Sequence, residues 1–176
     1  AIYEGADAVM LSAESAAGAY PVEAVTTMDN VAKSVESDPT YRLILESSRS
    51  VERTTIADAI VSAAREIAEA TNIKAICCFS QSGTTASLVA RERPHVSILA
   101  LTPLMSTARR MALTWGTHCV ITEPQDRFKG AVLAAVRAAR DGGFASDEDQ
   151  IVVTAGVPFN VKGTTNILRV APCDER

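Results

Sequence analysis

The stretch AICCFSQSGTTASLVARERPHVSILAL, residues 75–101, carries the pattern that decides the fold. Ala75–Phe79 is a short apolar run of strand length. A Ser-Gly-Thr turn follows, and then Thr84–Arg93 reads as a helix that Pro94 ends, because proline disfavours helical geometry in the residue before it. Ser97–Leu101 is a second strand-like run. Two strands joined through a helix pair in parallel, since a crossover of about a dozen residues is what brings the second strand back in the same direction.

The alternation continues on both sides. Downstream, Ser106–Thr114 reads as a helix closed near Gly116, Cys119–Thr122 as a third strand and Arg127–Arg140 as a helix ended by Gly142-Gly143. Gln150–Ala155 is a fourth strand and Asn166–Val170 a fifth. Upstream, Thr54 or Thr55 caps a helix whose apolar face is Ile56, Ala59, Ile60, Ala63, Ala64 and Ile67. Residues 54–176 are therefore expected to form a three-layer α/β/α sandwich around a mostly parallel five-stranded sheet. Residues 37–53, with Asp38-Pro39 and several serines, read as a connector. Before it, Pro21 opens a helix to Glu36 with Val22, Val25, Met28, Ala32 and Val35 on one face, and Ile2–Leu11 is a strand-like run. The chain enters that run without a methionine, which is expected of a piece of a longer protein.

Composition narrows the function classes. The 176 residues are 47% hydrophobic and 22% charged with a net charge of −4, and the arginines are dispersed among acids. Nucleic-acid-binding domains usually carry a basic stripe instead, so nucleic acid is not an expected partner. No apolar stretch reaches the roughly 20 residues that span a bilayer, so no membrane partner is expected and a cytoplasmic location is. Cys77, Cys78, Cys119 and Cys173 form no CxxC pair, and neighbours on a strand point to opposite faces, so no metal site is expected.

The chemistry-bearing residues cluster in the turns. Ser80, Gln81, Ser82, Gly83, Thr84 and Thr85 sit between a strand and a helix. Glycine admits an anion close to the backbone, the hydroxyls donate hydrogen bonds, and the helix start adds a partial charge of about +0.5. An ordinary βα turn with a threonine cap has the same spelling. A second glycine-rich turn, residues 156–166, follows the fourth strand and so falls at the same carboxyl edge of the sheet, where open α/β sheets bind ligands. Its Lys162 is a candidate for meeting an anion, and Arg127 and Lys129 are candidates for a second phosphate. His95 and His118 have no nucleophile beside them in sequence, and Asp7 and Glu14 do not form a matched acid and base.

Residues 5–25, GADAVMLSAESAAGAYPVEAV, resemble the pyruvate kinase segment GxDxVMLSGETAxGxYPxEAV, departing at Ala13 and Ser15. The serine loop with Ala86, Arg91 and Arg93-Pro94, then Ile98–Thr102 and Gly163-Thr164-Thr165-Asn166, are similar to that family's C-terminal domain in the same order. The resemblance implies that residues 1–36 are the last strand and helix of a catalytic (β/α)8 barrel and that 54–176 are an allosteric domain. It implies a parent enzyme that transfers phosphate from phosphoenolpyruvate to ADP in glycolysis, using Mg2+ and K+, as a homotetramer. The family's catalytic and metal-binding residues precede the matched segment, so no catalytic or metal role falls on this chain, which is expected to be inactive alone. The resemblance also implies that Ser80–Thr85 hold the phosphate of an effector, a sugar phosphate or nucleotide, with Gly163 and Thr164 closing near it. A phosphosugar-binding sensor or sugar-isomerase-type domain shares the Ser-x-Ser-Gly-x-Thr loop, but leaves Asp7–Pro21 without an explanation.

Overall fold

The computed structural model describes residues 1–47, 55–159, 161 and 164–175. They fall into two compact units, Ala1–Val51 and Glu52–Arg176. The larger contains α4 (Ile56–Ala70), β1 (Ile73–Phe79), α5 (Thr84–Arg91), β2 (Ser97–Thr102), α6 (Met105–Met111), β3 (Thr117–Ile121), α7 (Phe128–Asp141), β4 (Gln150–Gly156) and β5 (Thr165–Pro172). The strands form one sheet in the order β3-β2-β1-β4-β5. β1 is parallel to β2 and β4, and β2 is parallel to β3. β5 returns antiparallel to β4 through a short loop, so the sheet is mostly parallel and five-stranded, as expected.

The alternation of strand side chains builds two cores. Ile76, Cys78, Ile98, Ala100 and Val152 face α4, α5 and α6, packing on Val61, Ala64, Val89 and Met111. Ala75, Cys77, Leu99, Leu101, Ile151 and Val153 face the opposite way, against Val132, Ala135, Val136 and Ala139 of α7. Cys77 and Cys78 thus lie on opposite faces, as the strand period demands. Alanines line the inward stripes of α4 and α7, which lets both helices sit close to the sheet. Each fully buried Ile, Leu or Val contributes about 1.5–3 kcal/mol, a large part of the roughly 5–15 kcal/mol by which a domain is stable.

Sequence-coded signals set the helix ends. Thr55 caps α4 with a reciprocal box: its Oγ1 accepts from the Asp58 N–H at 3.1 Å while the Asp58 carboxylate accepts from the Thr55 N–H at 3.2 Å. α5 stops before Pro94, and Arg93 there adopts a positive φ of 49° with its guanidinium 4.8 Å from the centre of the Trp115 ring. Gly142 and Gly143 follow α7, the second at φ 71°.

In the smaller unit, two segments differ from the elements that their sequence pattern suggests. Ile2–Leu11 forms no strand: residues 1–5 turn, with the Gly5 N–H donating to the Ile2 carbonyl at 2.9 Å, and Gly5 has φ 81°. A strand needs a partner edge for its backbone groups, and the sheet of β1–β5 does not include this run. Within the expected connector, Pro39–Ser47 is a helix, α3, with Tyr41 and Leu45 buried. Asp38 starts it, its carboxylate accepting from the Thr40 N–H at 2.7 Å, and Pro39 suits the first helical position. Pro21–Glu36 is the helix α2, as read from its spacing, and Ala13–Ala16 is a single turn, α1.

Candidate functional site

The strand order fixes where a ligand can sit. From β1 the chain steps outward to β2 and β3, then crosses under the sheet through α7 to return at β4, on the other side of β1. The loops after β1 and β4 therefore diverge, leaving a crevice at the carboxyl edge. A cleft of about 90 Å3 occupies that place. Ser80, Ser82, Thr84 and Thr85 line it from the β1–α5 side, and Phe159, Val161 and Thr164 from the β4–β5 side.

The serine loop is organised from within. The Ser80 N–H donates to the Leu101 carbonyl at 3.1 Å, which extends the β1–β2 ladder by one step. Ser80 Oγ then accepts from the Gly83 N–H at 2.9 Å, and Ser82 and Thr84 hydroxyls meet at 2.9 Å. Gly83 has φ 82°, a conformation that favours glycine, and a Cβ there would lie 2.5 Å from Met111 Sδ. α5 has no side-chain cap. Its first helical bond runs from the Ser87 N–H to the Gly83 carbonyl, so the N–H groups of Thr85 and Ala86, both buried residues, have no acceptor within the helix. By contrast α4, whose Ala57 also lines the cleft, satisfies its start with Thr55 and Asp58. Hydrogen bonds from Thr55, then from Arg91, hold the Asp58 carboxyl below the usual carboxylate range.

Contacts distant in sequence brace this loop. Thr107 Oγ1 of α6 donates to the Gln81 carbonyl at 2.6 Å, and Arg110 donates to the Ser82 carbonyl. At the base of the cleft, the buried Thr85 and Thr165 hydroxyls meet at 2.7 Å, joining α5 to the start of β5. Asn166 closes the stem of the second loop, its amide pairing with both the N–H and the carbonyl of Val157 at 2.9 and 2.7 Å.

Ser80, Gln81, Ser82, Thr84, Thr85 and Thr164 thus share one cleft, and Gly83, buried, does not line it. Lys162 and Gly163 lie outside the described residues. Arg127 and Lys129 are exposed at the start of α7 and do not line the cleft. The β3–α7 loop, which sequence reading left out, supplies Thr122, Glu123, Pro124 and Gln125 to the lining. Its only sequence signal was position: it follows the third strand and therefore falls at the same sheet edge.

The other candidates are separate. Exposed His118 packs against Phe144 with ring centroids 4.8 Å apart and planes tilted by 55°, and neither it nor His95 lines the cleft. Glu14 accepts from the Ser12 N–H at 3.0 Å, and backbone hydrogen bonds lower its pKa. Burial pushes the Cys77 thiol well up and Cys78 to about 12. Among the described residues no group of three or more His, Cys, Asp or Glu side chains is placed to hold a metal ion. No helix among them is long and apolar enough to cross a membrane.

Comparison with known proteins gives a consistent result. The family described as "Pyruvate kinase, alpha/beta domain" matches residues 58–171. The chain is 45% identical over 171 residues to a pyruvate kinase of Methylorubrum extorquens, covering 97% of this chain and 36% of that protein. Against a pyruvate kinase of Agrobacterium vitis it is 46% identical over 170 residues, with the same coverage. A solved pyruvate kinase structure from Cryptosporidium parvum superposes with a TM-score of 0.83 at 27% identity, covering 98% of this chain and 34% of that one. The chain spans about a third of the length of these relatives.

Proposed function

Because this chain belongs to the pyruvate kinase family and carries its alpha/beta domain, we propose that it is the effector-binding and assembly portion of a pyruvate kinase. The parent reaction is transfer of phosphate from phosphoenolpyruvate to ADP, giving pyruvate and ATP in cytoplasmic glycolysis. In this proposal the Mg2+ and K+ that stabilise the transferring charge, and the catalytic side chains, are held outside these 176 residues. The chain alone is then inactive, and its parent assembles as a homotetramer.

The observation that carries the effector role is the open start of α5. The N–H groups of Thr85 and Ala86 have no acceptor within the helix, and Ser80, Ser82 and Thr84 line the same cleft as Thr85. A phosphate ester seated there would meet a partial positive charge of about +0.5 and several donors, each bond to a charged group contributing about 1.5–3 kcal/mol. Lys162, Gly163 and Thr164 of the second loop would close beside it, and Arg127 and Lys129 are the candidates for a second phosphate. The effector is a sugar phosphate or a nucleotide.

The test is pyruvate formation from phosphoenolpyruvate and ADP, coupled to lactate dehydrogenase, for the longer protein that carries this chain and for this chain alone. Turnover by the longer protein, none by this chain, and a response to phosphorylated effector that Thr84→Val weakens is the expected set. A longer protein that forms no pyruvate overturns the reading.

A further inference from the structure

The described lining of the cleft holds no lysine or arginine, although a phosphate seated there brings negative charge. A cation does touch the serine loop from α6, where Arg110 donates to the Ser82 carbonyl. Thr107, Arg110 and Met111 lie three and four residues apart, which puts them on one face of that helix. All three meet the loop, at the Gln81 carbonyl, the Ser82 carbonyl and Gly83. Arg110 is exposed, and among the described residues no acidic side chain pairs with it, so its charge is not cancelled. The contact reaches the cleft through one peptide unit. In a trans peptide the C=O and N–H point in opposite directions, so the Ser82–Gly83 unit has Arg110 on its oxygen and Ser80 Oγ on its N–H, at 2.9 Å. A hydroxyl that accepts there keeps its own hydrogen to donate, and Ser80 lines the cleft. Hydrogen bonds in a row polarise one another, so the guanidinium strengthens the Ser80 donor.

We propose that Arg110 is a positioning residue of this anion site: acting through the Ser82–Gly83 peptide, it supplies the positive charge that the described lining lacks and makes the Ser80 hydroxyl a stronger donor toward a phosphate. This rests on the phosphate reading of the serine loop and deepens it. The guanidinium also fixes the Ser82 carbonyl, an acceptor that would repel an anion, on the side of α6. A unit charge several ångströms from a phosphate at a protein surface changes its affinity about fivefold or more.

The experiment is calorimetric titration of the full chain with inorganic phosphate, for wild type, Arg110→Lys, Arg110→Gln and Arg109→Gln. Glutamine at 110 removes the charge and keeps a donor, lysine keeps the charge, and Arg109→Gln makes the same change in net charge one residue away. Both positions are exposed, so all three variants should melt within about 3 °C of wild type. Arg110→Gln should weaken phosphate binding about fivefold or more, and Arg110→Lys and Arg109→Gln by less than about twofold. The deficit of Arg110→Gln should shrink as NaCl rises from about 50 to 500 mM, because salt screens an exposed charge. In the 15N spectrum of Arg110→Gln the Gly83 amide proton should move upfield, as a weaker bond to Ser80 requires. Equal effects of lysine and glutamine at 110, which a purely structural brace would give, or equal effects of Arg110→Gln and Arg109→Gln, would overturn the role of Arg110 and leave phosphate binding standing. A wild type that binds no phosphate removes the phosphate reading of the loop, and this proposal with it.

Discussion

Replacing Gly83 by alanine tests the construction of the serine loop at its tightest point. The residue holds φ 82°, and an added Cβ would lie 2.5 Å from Met111 Sδ, 3.0 Å from Met111 Cγ and 3.5 Å from Thr107 Cγ2. The left-handed backbone costs a non-glycine residue about 1–2 kcal/mol, and forcing atoms into a packed core costs about 1–3 kcal/mol. Met111 is buried but unbranched, so part of the overlap relaxes, and the expected total is about 2–4 kcal/mol. For a domain of this size that lowers the melting midpoint by roughly 6–20 °C in scanning calorimetry. Gly143→Ala is the matched control: φ is 71°, yet nothing lies within 4 Å of its added Cβ, so only the backbone strain of about 1–2 kcal/mol applies. Equal losses at the two positions would refute the packing argument, because the contact with Met111 is what distinguishes them.

Three other substitutions or conditions probe the surrounding structure. Thr85→Val strands the buried Thr165 hydroxyl and should cost about 1–3 kcal/mol by urea unfolding, whereas adding Thr165→Val should recover much of it; strictly additive losses would contradict the 2.7 Å pairing. Asp58 has a carboxyl pKa lowered in the folded state, so its stabilisation is present above the unfolded value near about 3.9 and is lost as pH falls through the folded one. Melting curves from pH 6 to pH 3 should therefore fall more steeply for wild type than for Asp58→Asn, and parallel curves would remove Asp58 from the acid response. Cys77 and Cys78 are fully buried with raised pKa values, so iodoacetamide at pH 8 should label half-buried Cys119 first; early labelling of Cys78 would contradict the core assignment.

The sheet was legible because its strands are short apolar runs separated by helix signals that act locally. Thr55, Pro94 and Gly142-Gly143 each stop or start a helix by backbone chemistry confined to a few residues, and the structure uses all of them. The serine loop was legible for the same reason. What braces it was not: Thr107 to Gln81, Arg110 to Ser82 and Thr85 to Thr165 join residues 26, 28 and 80 positions apart, and no local pattern encodes such partners. Glu123 was missed because its place in the cleft comes from strand order, which a sequence of alternating elements does not state. Ile2–Leu11 marks the limit of such patterns: an apolar run can be a strand, but a strand exists only beside a partner edge. Helix α3 was hidden because serines and a proline outweighed the two residues, Tyr41 and Leu45, that it buries.

The central claim is that an anion seats at the start of α5, and amide chemical shifts report that directly. Titrating inorganic phosphate into the 15N-labelled chain should move the amides of Thr84, Thr85 and Ala86 saturably, with smaller changes at Thr164. Shifts confined to Arg127 and Lys129, or none that saturate, would contradict it.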